Sequence, residues 1–177
     1  MIFNPYDIYP GQLIYIPANR YYSKTITANF PLDSLPIQKK AELNTPPFCT
    51  RMVLSGLLVL LALSQNTYRA GDTIVLNLFK LNLSQKPIIL NYNTGQRYDF
   101  KIDYPSGHTL WLWSKNKSFI EALGSVRLDV GQSILYTETF TIPNNLPAGL
   151  YQVLGWNVAK ETRDFKLHIP IYITNHI

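Results

Sequence analysis

Hydrophobic residues from about residue 57 onward occur in short runs, and turn-forming residues separate these runs at nearly regular intervals. This spacing is typical of the short antiparallel strands of a β-sandwich or barrel. It predicts eight strands, at about residues 57–65, 73–83, 87–92, 98–104, 109–114, 132–141, 149–158 and 166–173. Because such strands bury their apolar faces most readily as two packed sheets, we expect an all-β antiparallel sandwich.

Two segments in the middle of the chain have patterns of their own. Apolar and charged residues alternate in 98–103, which predicts that the charged side chains face water. The run 110–113 is apolar on both faces, and we expect the segment 114–124 to cover the spare face, with Phe119 and Leu123 folding back. The alternative is a contact surface. Residues 118–123 are the one helical candidate, because Gly124 follows at a position that favours a helix C-cap.

The first fifty residues differ from the rest. They are rich in Pro, Tyr and Asn and have no sustained period, apart from the alternation at 12–16. We therefore expect an irregular N-terminal extension with one short strand.

Composition supports a folded, single-domain protein. The chain has 177 residues, 46% of them hydrophobic and 15% charged. The net charge of +5 comes from scattered basic residues and not from a stripe, which argues against nucleic-acid binding. The single cysteine, Cys49, excludes an internal disulfide and fits a reducing compartment. No base accompanies it in sequence, so we interpret it as an ordinary thiol.

Membrane insertion and export by a signal peptide are not expected. The first ten residues lack a basic start and an apolar run. The apolar run 52–63 is too short to span a bilayer as a helix, which needs about 20 residues. The same run is similar to a signal-peptide core, which remains an alternative interpretation.

Residues for catalysis or cofactor binding are missing from the sequence. The three histidines His108, His168 and His176 are scattered, and no Gly-x-Ser-x-Gly motif occurs. No pair of residues has metal-ligand spacing, and no glycine-rich loop for phosphate is present. The sequence therefore predicts a non-enzyme with no catalytic residue, cofactor or metal.

Several motifs occur in an order that is specific for one known family. They are Asn66-Thr67-Tyr68-Arg69-Ala70-Gly71-Asp72, Thr94-Gly95-Gln96-Arg97-Tyr98-Asp99-Phe100, Leu110-Trp111-Leu112-Trp113-Ser114, Val130-Gly131-Gln132, Tyr136-Thr137-Glu138-Thr139-Phe140 and Leu146-Pro147-Ala148-Gly149-Leu150-Tyr151. With them, residues 57–173 resemble the intracellular proteinase inhibitor (BsuPI-type) domain. The resemblance implies an immunoglobulin-like β-sandwich that inhibits intracellular subtilisin-type serine proteases, here as a domain at 53–177.

A shorter resemblance precedes that domain. Residues 3–17, from Asn4-Pro5-Tyr6-Asp7 to Tyr15-Ile16-Pro17, look like the closing strand of a LysM module, which binds peptidoglycan and chitin. The module's first strand and helix would have to lie upstream of Met1. We therefore expect peptidoglycan binding only if that missing half exists, and we assign residues 18–52 to a linker.

A protein inhibitor needs a rigid scaffold that presents a loop. Three loops qualify, at 104–108, 114–119 and 142–147, although ordinary turn chemistry is the favoured interpretation of each. The candidate contact residues are Tyr104, Pro105, Ser106, Gly107, His108, Lys115, Asn116, Lys117, Pro143, Asn144 and Asn145. An edge strand that adds to the protease backbone is another possible route.

Two functions remain open at this point. The first is a cytoplasmic inhibitor whose partner is a subtilisin-type serine protease. The second is a structural or interaction module of the spore or cell envelope, linked to a LysM module, because a sandwich fold does not by itself determine function.

Overall fold

Strands form the regular structure of this chain. The computed structural model of the protein describes residues 13–14, 26–27 and 48–174. In these residues no helix occurs. The strands are β1 (Leu13–Ile14), β2 (Ile26–Thr27), β3 (Phe48–Leu54), β4 (Leu57–Leu63), β5 (Thr67–Arg69), β6 (Thr73–Asn82), β7 (Ile88–Tyr92), β8 (Tyr98–Asp103), β9 (Thr109–Leu112), β10 (Gly124–Leu128), β11 (Ser133–Thr141), β12 (Gly149–Asn157) and β13 (Leu167–Thr174).

Two larger sheets form the layers of the fold. One has the strand order β11-β6-β4-β3 and the other the order β5-β13-β12-β8-β9. Neighbouring strands are antiparallel except for β5 and β13, which are parallel. Strands β7 and β10 form a separate two-stranded sheet, and β1 pairs with β2. The predicted all-β fold is confirmed and is consistent with a sandwich, while its immunoglobulin-like identity stays a prediction.

The core lies between the two larger sheets, because alternate residues of each strand point inward. Leu61 of β4, Phe100 of β8 and Val153 of β12 are fully buried in one continuous cluster. Gly155 allows the sheets to approach closely here, since a methyl group at this position would lie 2.8 Å from Leu61 Cδ1. Burial of this interdigitated apolar surface is the main stabilising contribution to the fold.

The eight predicted strands are all present as β4, β6, β7, β8, β9, β11, β12 and β13, with bounds that differ by one or two residues. Strands β2, β3, β5 and β10 were not predicted. Strand β3 covers Phe48–Leu54 and pairs with β4, so it overlaps the end of the segment 18–52 that the sequence assigns to a linker. Polar residues such as Thr50 and Arg51 interrupt its apolar pattern, which is why the sequence does not reveal it.

The predicted helix at 118–123 is wrong. These residues are irregular, and Gly124 begins strand β10 instead of ending a helix. A helix of six residues has too few internal hydrogen bonds to be stable without packing. Contacts of Phe119 and Ile120 with other parts of the chain hold the segment in its irregular path instead.

Two expectations for this region need correction. Asp99 does not face water, because only 5% of its surface is exposed and its carboxylate accepts hydrogen bonds from Ser114. Phe119 packs on Trp113, with ring centroids 5.8 Å apart, as predicted. Leu123 does not fold back, since its exposed fraction is 80%.

The predicted strand at 12–16 corresponds to β1, which pairs with β2. The LysM resemblance of residues 3–17 lies outside the described residues apart from Leu13–Ile14, and it stays a prediction.

The β3–β4 hairpin turns through Ser55 and Gly56, which both have positive φ angles, 49° and 84°. A methyl group on Gly56 would lie 2.6 Å from Ser84 Cβ, so G56A forces the backbone to move. We expect it to lower the free energy of unfolding by about 2–3 kcal/mol. The control is G107A, because Gly107 has a φ of 85° but open space around it, and this variant loses about 1 kcal/mol. If chemical denaturation shows that G56A and G107A lose equal free energies of unfolding, the contact with Ser84 does not have this role.

Candidate functional site

Two of the three candidate loops lie at the same end of the sandwich. The 104–108 loop follows β8, and the 142–147 loop leads into β12, the antiparallel neighbour of β8. A methyl group on Gly149 would lie 3.3 Å from Pro105 Cγ. The hydroxyl of Tyr151 donates to the Pro147 carbonyl oxygen at 2.7 Å, and the Tyr151 ring lies 5.9 Å from that of Tyr104. These contacts join the two loops into one surface.

Both loops of this end are short, tight turns. The Tyr104 amide donates to the His108 carbonyl at 2.8 Å, and the Gly107 amide donates to the Tyr104 carbonyl at 2.9 Å. In the other loop the amide of the buried Leu146 donates to the Pro143 carbonyl at 3.1 Å. Most of their other side chains are exposed, and they are small or polar: Pro105, Ser106, Gly107, His108, Pro143, Asn144 and Asn145. This geometry is that of connecting turns.

The third candidate loop lies at the opposite end. It connects β9 to β10, and we call residues 113–123 the β9–β10 loop. Strand β9 is antiparallel to β8, so it ends beside the beginning of β8 and the turn at 93–97. Lys115, Asn116 and Lys117 are exposed at its first turn. The structure therefore brings two candidate loops together and separates them from the third.

A buried carboxylate anchors the first part of the β9–β10 loop. Asp99 Oδ2 accepts a hydrogen bond from Ser114 Oγ at 2.6 Å, and Oδ1 accepts one from the Ser114 amide at 3.2 Å. Gln96 Nε2 donates to Oδ2 at 3.1 Å, and the Phe100 amide donates to Oδ1 at 2.9 Å. Because hydrogen bonds to an ionised and buried group are among the stronger ones, this contact holds the loop firmly on β8.

Aromatic packing anchors the middle of the loop. The ring of Trp113 lies 4.5 Å from that of Tyr98 and 5.8 Å from that of Phe119. Lys117 Nζ lies 4.4 Å from the Trp113 ring centroid, in cation–π geometry. Tyr98 in turn stacks on Tyr136 of the other sheet at 4.3 Å. The loop is thus joined to both sheets.

In the last part of the β9–β10 loop the backbone is hydrogen-bonded to the rest of the chain, whereas two large side chains are exposed to solvent. The Gly95 amide donates to the Ile120 carbonyl at 2.8 Å. The side chains of Ile120 and Leu123 are nevertheless 78% and 80% exposed, the highest values among the large hydrophobic residues described. Sequence reasoning missed both residues, because it assigned them to a helix. Exposure cannot be inferred from their apolar character, which normally indicates burial.

A buried polar cluster lies beneath this end. Lys80 is fully buried, and its Nζ donates to Tyr92 Oη at 3.1 Å, to Tyr136 Oη at 3.3 Å and to Asn157 Oδ1 at 3.1 Å. Asn157 Nδ2 donates to Thr162 Oγ1 at 2.7 Å. All of these acceptors are neutral oxygens. The cluster links three sheets, since Lys80 is on β6, Tyr92 on β7 and Asn157 on β12.

Ionisation in this cluster is perturbed by burial. Desolvation, with a smaller repulsion from Arg97, lowers the pKa of Lys80 to about 7. Desolvation raises the pKa of Tyr92, Tyr98 and Tyr136, and for Tyr98 the hydrogen bond to the Glu138 carboxylate raises it further. Arg97 stacks over the Tyr92 ring at 4.4 Å. All of these groups are buried or half-buried beneath the loop.

The described part of the chain contains no group of three His, Cys, Asp or Glu side chains that could hold a metal ion. It also contains no helix with the length and apolar character needed to cross a membrane. Cys49 is half-buried on the edge strand β3.

Three solved structures show distant similarity to this chain. The sporulation control protein Spo0M from Bacillus subtilis is 13% identical, with a TM-score of 0.48 over 70% of this chain and 51% of that protein. The alkylpurine DNA glycosylase AlkC from Pseudomonas fluorescens is 13% identical, with a TM-score of 0.40 over 63% of this chain and 28% of that one. A β-glucosidase from Listeria innocua is 10% identical, with a TM-score of 0.39 over 96% and 22% of the two chains. The chain thus spans about half of the first protein and less of the others.

No curated protein sequence matches the chain. The family model described as intracellular proteinase inhibitor, BsuPI, matches residues 61–162, from strand β4 to the β12–β13 loop. This range is more than half of the chain and contains all three candidate loops. The protein therefore belongs to the BsuPI family of intracellular proteinase inhibitors.

Proposed function

We propose that the protein is a non-enzymatic inhibitor of an intracellular, subtilisin-type serine protease. The observation that carries this proposal is the family match over residues 61–162, whose description names proteinase inhibition. The protein acts by occupying the protease cleft and not by chemistry of its own. Its place of action is the cytoplasm, where a chain with a single cysteine loses nothing from reducing conditions.

The geometry supports this function through preorganisation. Binding is stronger when the contacting loop is already ordered, because less conformational entropy is lost on association. With one cysteine, the chain cannot hold a loop with an internal disulfide. The β9–β10 loop is held instead by the Asp99 carboxylate, by the Tyr98 ring against Trp113 and by the Gly95 amide.

The test is titration of the purified protein against a subtilisin-type protease from the cytoplasm of the same organism. We expect activity on a small peptide substrate to fall in proportion to added inhibitor at micromolar concentration, because the cleft itself is blocked. In parallel, calorimetry measures the binding of the protein to a subtilisin-type protease. The binding control is the same kind of protease pretreated with an active-site serine reagent. A chymotrypsin-like protease tests the specificity for the subtilisin type.

Undiminished protease activity, with no binding heat, would refute the proposal. The envelope-module alternative would then be favoured, and binding of purified peptidoglycan to the same chain would be measured next.

A further inference from the structure

We propose that the protease contact is the segment 118–123 of the β9–β10 loop, and that Ile120 and Leu123 enter apolar subsites of the protease cleft. This inference rests on the proposed function and deepens it, because it names the contact residues and the chemistry that they recognise. The sequence-based candidates Lys115, Asn116 and Lys117 lie just before this segment.

The first argument is the exposure of the two side chains. Ile120 is 78% exposed and Leu123 is 80% exposed, whereas the core of the same domain is packed with fully buried residues. Single exposed apolar residues are common on protein surfaces. Here two of them lie three positions apart on one anchored loop, and such side chains gain free energy only when a partner covers them.

The second argument is the state of the backbone. Residues 118–123 form neither helix nor strand, yet contacts hold the segment on both sides. Before it, Ser114 is bound to Asp99; within it, the Ile120 carbonyl accepts from the Gly95 amide; after it, Gly124 pairs with Tyr92 in the β7–β10 sheet. A partner therefore meets side chains whose backbone is already placed, which favours a slow dissociation rate.

The third argument concerns the kind of partner. Two aliphatic side chains cover far less than the roughly 800 Å² per partner of a stable protein interface, so a dimer and a protease complex would both need further contacts around them. They do suit a concave site that surrounds one side chain at a time, as the subsites of a protease do. The basic residues Lys115 and Lys117 beside them also oppose the approach of a second copy with the same charge.

The two candidate loops at the other end of the molecule carry no comparably exposed large hydrophobic side chain. The exposed residues of the 104–108 and 142–147 loops are mostly small or polar, and the larger residues Tyr104 and Leu146 are half-buried and buried there. Loops without an exposed anchor side chain contribute complementarity more than affinity.

The experiment compares inhibition by the wild-type protein with that by I120E, L123E and the double variant. A carboxylate in an apolar subsite loses its hydration without gaining a partner, so we expect each single variant to weaken inhibition at least tenfold and the double variant at least a hundredfold. The control is V130E, which changes another exposed apolar residue, 58% exposed, in the turn after β10. It should leave inhibition within about twofold of wild type, since it adds the same charge outside the contact.

Thermal unfolding of all variants should stay within about 2 °C of wild type, because the changed side chains are exposed. If the wild-type protein inhibits and the double variant inhibits equally well, this inference is wrong and the contact lies elsewhere, whereas the proposed function stands. If the wild-type protein inhibits no protease, both this inference and the proposed function are wrong. A change of oligomeric state in the double variant, measured by sedimentation, would instead make a second copy the occupant and overturn the inference.

Discussion

Replacing Asp99 with alanine is expected to lower the free energy of unfolding by about 3–5 kcal/mol, at the upper end of single-residue effects. The carboxylate is 5% exposed and accepts four hydrogen bonds, two of them from Ser114. Alanine removes the acceptor of these partly or fully buried donors, and of them Gln96 Nε2 keeps a hydrogen bond to the Tyr98 carbonyl oxygen. The same change frees the start of the β9–β10 loop, so inhibition should weaken as well, although Asp99 itself lies too deep to touch a protease.

Chemical denaturation measures the loss, and two variants serve as references. S114A removes one hydroxyl donor and is expected to lose about 1–2 kcal/mol. D129A removes an exposed carboxylate that pairs with Arg127 at 2.8 Å, and it should change stability by less than about 1 kcal/mol. If D99A is no less stable than D129A, the carboxylate is not the anchor that the hydrogen bonds indicate.

Raising the pH from 7 to 10 is expected to stabilise the protein by about 3 kcal/mol through Lys80. The pKa of Lys80 is lowered to about 7 in the folded state, from 10.5 for a solvated lysine. Between these two values the unfolded chain binds the proton and the folded protein does not, so stability increases with pH across this window. Below pH 7 both states are protonated, and the full desolvation penalty of the buried ammonium opposes folding.

Above pH 10 the trend reverses. Burial raises the pKa of Tyr68 to about 12 and also raises the pKa of Tyr92, Tyr98 and Tyr136. These phenols stay protonated in the folded protein at pH values where the unfolded chain already ionises them. The stability that they contribute is complete below their unfolded pKa and is lost as the pH rises beyond it. We therefore expect maximal stability near pH 10.

The variant K80M isolates the lysine, because methionine fills a similar volume without a charge. It should abolish the increase between pH 7 and 10 and keep the decrease above pH 10. Guanidinium denaturation at pH 7, 8.5, 10 and 11 follows both trends. An equal increase in wild type and K80M would show that Lys80 does not titrate in this window.

The predicted stability effects of Asp99 and Lys80 arise at the same end of the molecule. The Asp99 anchor holds the β9–β10 loop from one side of β8, and the Lys80 cluster supports Tyr92 and Tyr136 beneath it. Tyr136 stacks on Tyr98, which packs on Trp113 of the loop. Mutations at either site should therefore change both stability and inhibition, whereas I120E and L123E should change inhibition alone. Comparing these two classes separates the scaffold from the contact.

Most strands can be predicted from the sequence, because their side chains follow a local pattern. The alternation at 98–103 and the turn residues around 146–149 predict β8 and β12 from neighbouring residues alone, because strand periodicity and turn conformation are local properties. The family motifs around Trp111 and Trp113 likewise identify the domain without its structure. Strand β3 could not be predicted in this way, because its residue pattern is mixed and it forms a strand through pairing with β4.

The surroundings of individual side chains, in contrast, depend on the folded chain. Asp99 alternates with apolar residues like any water-facing residue, yet Ser114 covers it from fifteen positions further along the chain. The ammonium group of Lys80 is surrounded by Tyr92 and Asn157. The residue pattern of strand β6 does not predict these contacts. The sequence predicts a short helix at 118–123 with Leu123 folding back, but the segment is irregular, the Gly95 amide binds the Ile120 carbonyl, and the side chains of Ile120 and Leu123 are both exposed. Burial, charge state and exposure depend on residues distant in sequence, and for that reason the candidate contact becomes visible only in the folded chain.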